Sequence, residues 1–339
     1  MLKKLIAVST LMLISISSVQ AFTFKIATLS SDGSVWMENM RAGAKEISEK
    51  TENRVKFKFY PGGVMGGDKN VLRKMKFGQL HGGAMPNSGL AGIYPEIQLY
   101  NLVMKFQSFE EVDYVRQRMD VLLTEGLDKK NLVSFGFAEM GFAYIMSTIP
   151  IGTVADLQQQ KVWAPDSNKI AINAFKACSV SPIPLPLRDV LMGLQTGMID
   201  TVTGTPIGAL ALQWHTKIKY VTELPLSYIF GVFVIDKKSF NKISKQDQQI
   251  VRTVMTEVAR KIDKQSREDN INGIAALKSQ GVKFLTVENS AANELKNIME
   301  SANTQIVTNS GLSENLVQQM DKNLADFRVN SVQAEVVVE

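Results

Sequence analysis

Cysteine is almost missing from this chain of 339 residues, where Cys178 stands alone. One thiol excludes an intramolecular disulfide, and its distance from the amino terminus excludes a lipid-modified cysteine at the end of a leader. Histidine is nearly as scarce, with only His81 and His215. There is no HExxH pair, no paired cysteine and no spacing of zinc ligands, so neither a metal nor a cofactor is expected. No G-x-S-x-G element presents a serine nucleophile. GGVMGGD at 62–68 resembles a phosphate loop only in its glycines, because the Gly-Lys-Ser/Thr ending is absent. It reads as a turn ahead of a helix over 68–77. An enzyme would need an unfamiliar arrangement of groups. Long apolar runs are missing too: the stretch over residues 5–16 falls short of the ~20 residues of a membrane span, and no later run approaches it. Without a basic stripe or clustered aromatics, nucleic-acid binding is not expected.

The amino-terminal 21 residues are the first positive signal. Lys3 and Lys4 precede the apolar stretch, and Val19 and Ala21 form the small-residue pattern that a signal peptidase cuts. A mature chain beginning at Phe22 is expected, exported to the periplasm, soluble and unlipidated. Removing two lysines and no acids takes the formal charge from +5 to +3. A hydrophobic content of 45% with 21% charged residues is ordinary for a globular protein. No low-complexity linker divides the chain.

Two distant segments echo one another: Val71-Leu72…Met75…Gly78…Leu80 and Val190-Leu191…Leu194…Gly197…Ile199. In each, apolar positions recur at helical spacing, a glycine falls at the helix end, and a short apolar run follows. Strand-like runs at 55–61 and 180–187 precede them, and helices at 34–50 and 167–177 precede those. Two α/β lobes on one plan are therefore expected, with a ligand cleft between their facing loops. Residues 244–280 read as a long helical stretch, from a capping box at Ser244 and Asp247 to Gly281. It either bridges both lobes or breaks near Asp269-Asn270, where the apolar pattern thins.

The segments FKIATLSSDGSVWMENM, RVKFKFYPGGVMGGDKNVLRKMKFGQLHGGAM, SFEEVDYVR, PIGTVADLQQQKV and PLRDVLMGLQTGMID follow in the order and spacing of the DctP-type substrate-binding proteins of TRAP transporters. The resemblance covers nearly the whole mature chain. It implies a periplasmic receptor of two α/β domains, spanned by a long helix, that closes on a small ligand and delivers it to a membrane permease pair. A monomer is expected, with lobe I at 22–143 plus about 231–268 and lobe II at 144–230 plus about 269–339. A periplasmic enzyme, or a sensor acting through a protein partner, is the alternative.

Departures from the family pattern bear on the ligand. In the resemblance, organic-acid receptors place a carboxylate-clamping arginine where Trp163 stands and a second where Ala143 stands. An asparagine before Pro206 is replaced by Gly204 or Thr205. Three readings stay open: another basic residue such as Lys161, Arg188 or Lys169 supplies the charge, with Trp163 in the core; the ligand is apolar, held by Trp163, Phe142, Met85, Met140 and Trp214; or it is cationic, paired with Glu139 and stacked on Trp163. By loop position, Ser31, Asp32, Gly66, Gly67, Met85 and Asn87 are expected to line one lobe. Glu139, Phe142, Ala143, Trp163, Asp166, Thr203, Gly204, Thr205 and Trp214 are expected to line the other lobe and the crossing.

Overall fold

The computed structural model describes residues 21–336, with side chains to residue 330; all but the last residue of the expected leader lies outside them. The chain opens with β1 (Phe22–Thr28), α1 (Val35–Lys50), β2 (Val55–Tyr60), α2 (Asp68–Lys76) and β3 (Gly82–Pro86). The Ser34 hydroxyl starts α1 by accepting from the Met37 N–H at 3.3 Å. β1 lies between its neighbours and runs parallel to both, with Phe22 opposite Val55 and Ile26 opposite Gly82. After α3 (Phe109–Lys129), β4 (Leu132–Ser147) and α4 (Val154–Gln158), the same plan recurs. It comprises β5 (Trp163–Pro165), α5 (Lys169–Ala177), β6 (Ile183–Leu185), α6 (Val190–Thr196) and β7 (Thr201–Gly204). β5 pairs parallel with β6, and Val162 meets Thr201 in a parallel bridge, so the strand order again puts the first strand in the middle. Gly78 and Gly197 both take φ of +70° at the helix ends, with no atom within 4 Å of where a Cβ would sit. Their echo in the sequence is thus a shared backbone requirement.

Next come α7 (Pro206–Ala211), β8 (Tyr220–Thr222), β9 (Ser227–Asp236), α8 (Lys237–Phe240), α9 (Lys245–Ser279), β10 (Lys283–Leu285), α10 (Asn289–Ser310) and α11 (Glu314–Val336). β4 and β9 join the lobes. β4 runs antiparallel to β9 from Leu132 opposite Asp236 to Ala143 opposite Ser227, and then pairs with β7 from Tyr144 to Ser147. β9 continues the sheet to β3, while β8 and then β10 extend it from the far end of β4. Two register shifts interrupt β4, where Gly136 and Gly141 hold φ of +108° and +100°. Such bulges bend a strand at the point where it changes lobes.

The long helix α9 is continuous through Asp269-Asn270 and, at 1.5 Å per residue, spans about 50 Å. Val251, Val254, Met255 and Ile262 pack into the first core with Phe24, Met37, Met40 and Ile235, whereas Leu277 enters the second with Trp163, Val190 and Ile218. The apolar pattern thins at the crossing because α9 there meets backbone rather than a core. Asn270 Nδ2 donates to the Met140 carbonyl at 2.9 Å, and Gly273 lies so close to α7 that a Cβ would stand 3.0 Å from Ile207 N. α10 packs on α5, but α11 turns back onto α3. There Arg328 Nε donates to Glu111 Oε1 at 2.7 Å and Lys105 Nζ to Asp321 Oδ1 at 2.7 Å. The carboxyl-terminal helix, expected with the second lobe, therefore straps an element of the first segment.

Candidate functional site

The carboxyl ends of β1, β2 and β3 bring residues 29–32, 61–67 and 87–90 together. Gly62 N donates to the Ser30 carbonyl at 2.8 Å and Gly63 N to the Thr28 carbonyl at 2.9 Å, laying the glycine turn against the end of β1. Gly63, at φ +71°, leaves room for Leu29, whose Cδ2 stands 3.0 Å from where a Cβ would be. Gly67 then precedes α2, and Asp68 enters the helix with its carboxylate against Gly89. In the second lobe the ends of β5, β6 and β7 gather Asp166, Arg188 and Thr205. Lys69 Nζ reaches from α2 to Asp166 Oδ2 at 2.5 Å, so the two sets of strand ends face one another. Crevices at such ends are the usual ligand sites of parallel α/β units.

The expected residues divide. Gly66, Gly67 and Asp166 stand at these strand ends, whereas Met85 and Asn87 are buried beneath them, with Met85 Sδ beside Gly89. Ser31 and Asp32 are exposed; Asp32 pairs with Arg41 on the surface, where Nε donates at 3.2 Å. Asp166 does not cap α5, because Asn168 does, its Oδ1 accepting from Ala171 N at 3.0 Å. Thr205 caps α7 by accepting from Gly208 N at 3.2 Å.

Trp163 is 2% exposed, and its indole N–H donates to the Leu185 carbonyl at 3.0 Å. It packs edge-on against Trp214 at 5.4 Å, and Trp214 fits only because Gly204 has no side chain: a Cβ there would meet the ring at 2.8 Å. These three form core beneath the second lobe rather than an open wall. Lys161 is likewise remote, lying at the opposite end of β5 with Nζ on the Gly197 carbonyl at 3.0 Å.

Glu139 has other partners than an expected ligand. Its carboxylate is 1% exposed and accepts from Arg267 Nε at 3.1 Å and Nη2 at 2.9 Å, and from Tyr228 Oη at 3.2 Å. Arg267 also holds Asp113, at 2.9 Å through Nη1. Beside it Arg116 donates to Asp120, Asp263 and the Phe137 carbonyl, and Asp263 accepts from Glu139 N at 2.7 Å. Burial raises the Glu139 and Asp120 carboxyls above the usual range, against the pull of Arg267 and Arg116 respectively. The network ties α3 and α9 to the bulged stretch of β4. Phe142 packs at 5.0 Å from Phe109 and 5.9 Å from Tyr228.

Ala143 is buried opposite Ser227, and Ile145 opposite Thr203, so all four side chains share one face of the sheet. On that face lies a small apolar cavity of about 40 Å³, lined by Ile145, Phe175, Leu226 and Met299 with Thr203 and Ser227 as polar members. Asp68, Lys69 and Arg267 were missed by reading the sequence. An acid directly after two glycines at a strand end was a usable signal; Arg267, inside a helical repeat, offered none. Among the described residues no group of three or more histidine, cysteine, aspartate or glutamate side chains is set to hold a metal.

The family model described as bacterial extracellular solute-binding protein, family 7 (DctP), matches residues 26–309. The chain is similar to the 2,3-diketo-L-gulonate-binding periplasmic protein YiaO of Escherichia coli K12, 25% identical over 249 residues covering 71% of this chain and 74% of that one. It is similar to the sialic acid-binding periplasmic protein SiaP of Vibrio cholerae, at 21% over 283 residues, 82% of this chain and 87% of that one. Its fold matches a TRAP periplasmic solute-binding protein from Desulfovibrio salexigens with bound orotic acid. The TM-score is 0.83, with 18% identity, 90% of this chain and 99% of that one.

Proposed function

We propose, proceeding from the fact that this chain belongs to the DctP family of bacterial extracellular solute-binding proteins, that it captures a small organic ligand lacking the usual arginine-clamped carboxylate and passes it to a TRAP-type permease. It is a solute-binding protein and not an enzyme. It works in the periplasm as an unlipidated monomer, and its lobes divide where β4, β9 and α9 cross. The ligand enters between the strand ends around Gly66, Gly67, Asn87 and Asp166.

One observation carries the ligand reading. The two positions where the family resemblance places arginines hold a buried indole, its N–H spent on Leu185, and a buried Ala143 facing Ser227. Neither can offer the parallel donors that a carboxylate needs. Relatives named for sugar acids set the contrast that the test exploits. The full chain, purified without refolding, is extracted and its ligand identified by mass spectrometry, and candidates are ranked by thermal shift. Succinate and D-galacturonate are expected to leave the melting temperature unchanged, and hits to keep their mass after incubation. A co-purified small carboxylate as the only ligand, or chemical conversion of a hit, overturns the reading.

A further inference from the structure

One carboxylate in the crevice has no partner. Asp68 is partly buried at the start of α2, with Oδ2 only 2.7 Å from where a Cβ on Gly89 would sit. Among the described residues no hydrogen bond or ion pair reaches it. Three of the four cations of its own helix have other partners: Lys69 Nζ reaches Asp166 at 2.5 Å, Arg73 Nη2 Asn70 at 3.1 Å, and Lys74 Nζ the Met65 carbonyl at 2.9 Å, while Lys76 stands at the far end of the helix. Across the crevice Arg188 stands 3.5 Å from Asp189. Burial, and then the negative charge of Asp166, push the Asp68 carboxyl up to about 6, which leaves it mostly ionised at neutral pH.

A second polar atom is unpaired at the same strand ends. Asn101 Nδ2 donates to the Tyr228 carbonyl at 2.9 Å, so Asn101 Oδ1 must accept, and Asn87 Nδ2 donates to it at 2.5 Å. The other Asn87 proton goes to the Ile97 carbonyl at 2.8 Å. Asn87 is fully buried, and its Oδ1 is left as an acceptor without a donor. Buried acceptors are normally satisfied, so an unmet pair of them, one charged, marks the place of a missing donor. The groups left unmet at these strand ends, Asp68 and Asn87 Oδ1, are both acceptors, and one is charged. That is the complement of an organic cation.

Resting on the cleft reading above, we propose that the ligand carries an ammonium, amidinium or guanidinium group, with Asp68 as its counter-ion and Asn87 Oδ1 as a neutral acceptor. Glu139 is not that counter-ion, because Arg267 already neutralises it.

The test is calorimetric titration of the full chain with putrescine, choline, arginine, succinate and D-galacturonate at pH 7.5 and pH 5. At least one organic cation is expected to bind at pH 7.5 and to bind more weakly at pH 5, as Asp68 takes up a proton. Asp68→Asn should lower that affinity tenfold or more, and Asp68→Glu should retain part of it, with folding of both checked by circular dichroism. Failure of every cation to bind, or unchanged affinity in Asp68→Asn, overturns the proposal. If succinate or D-galacturonate binds instead, the absence of a carboxylate clamp is wrong as well. A neutral apolar ligand indifferent to Asp68→Asn would overturn only the cationic group.

Discussion

Trp163 illustrates how a single side chain changes meaning once its neighbours are known. With its N–H satisfied and its ring against Trp214, its removal leaves a large hole in the second core. Trp163→Ala is expected to cost about 3–5 kcal/mol in urea unfolding, far more than a ligand contact alone would. Arg267 is the opposite case, a polar residue whose importance lies in what it neutralises. Arg267→Met strands Glu139 in the interior and should cost about 3–5 kcal/mol, with much of the loss recovered by adding Glu139→Gln. Asp68 yields a pH signature. Its folded carboxyl titrates near 6 and the unfolded one near 4, so the folded state binds the extra proton. Stability should fall as pH rises from about 4 to 6 and stay lower above that. Asp68→Asn should remove this slope, and at pH 8 should stabilise the ligand-free protein by on the order of 2 kcal/mol. Equal slopes in the two proteins across pH 4–6 would refute this.

At the scale of the element, the paired helix ends are the cleanest test of the repeated plan. Gly78 and Gly197 share a φ of +70° in open surroundings, so alanine meets backbone strain and no clash. Each substitution should cost about 1 kcal/mol, and by equal amounts, in thermal unfolding. Unequal losses would mean that the two ends do different jobs. The long helix was legible from its period and caps, because burial against two cores imposes the 3.6-residue repeat on both halves. Its continuity was not. A break near Asp269-Asn270 stayed open as the alternative, yet Asn270 and Gly273 are the residues that let a helix pass close over β4 and α7.

For the whole molecule, the Lys69–Asp166 pair is a direct side-chain link between the facing strand ends. It is largely exposed, so Lys69→Ala should change global stability by less than about 1 kcal/mol. Its effect should appear instead in ligand affinity at low ionic strength and vanish in 1 M salt, where charges are screened within about 3 Å. A loss of affinity independent of salt would show that Lys69 acts otherwise than by charge. The sequence by itself determined the class of the molecule: two α/β lobes on one plan and a long helical stretch near the carboxyl end. Those properties rest on local periodicity, capping and turn chemistry, each written in neighbouring residues. It also showed that two arginines of the family pattern are absent. Only the tertiary structure decided where charges stand relative to one another. Glu139 meets Arg267 across 128 positions and Lys69 meets Asp166 across 97, while Asp68 meets no cation among the described residues. Pairing and desolvation depend on distance in space, and no periodicity in the chain encodes that.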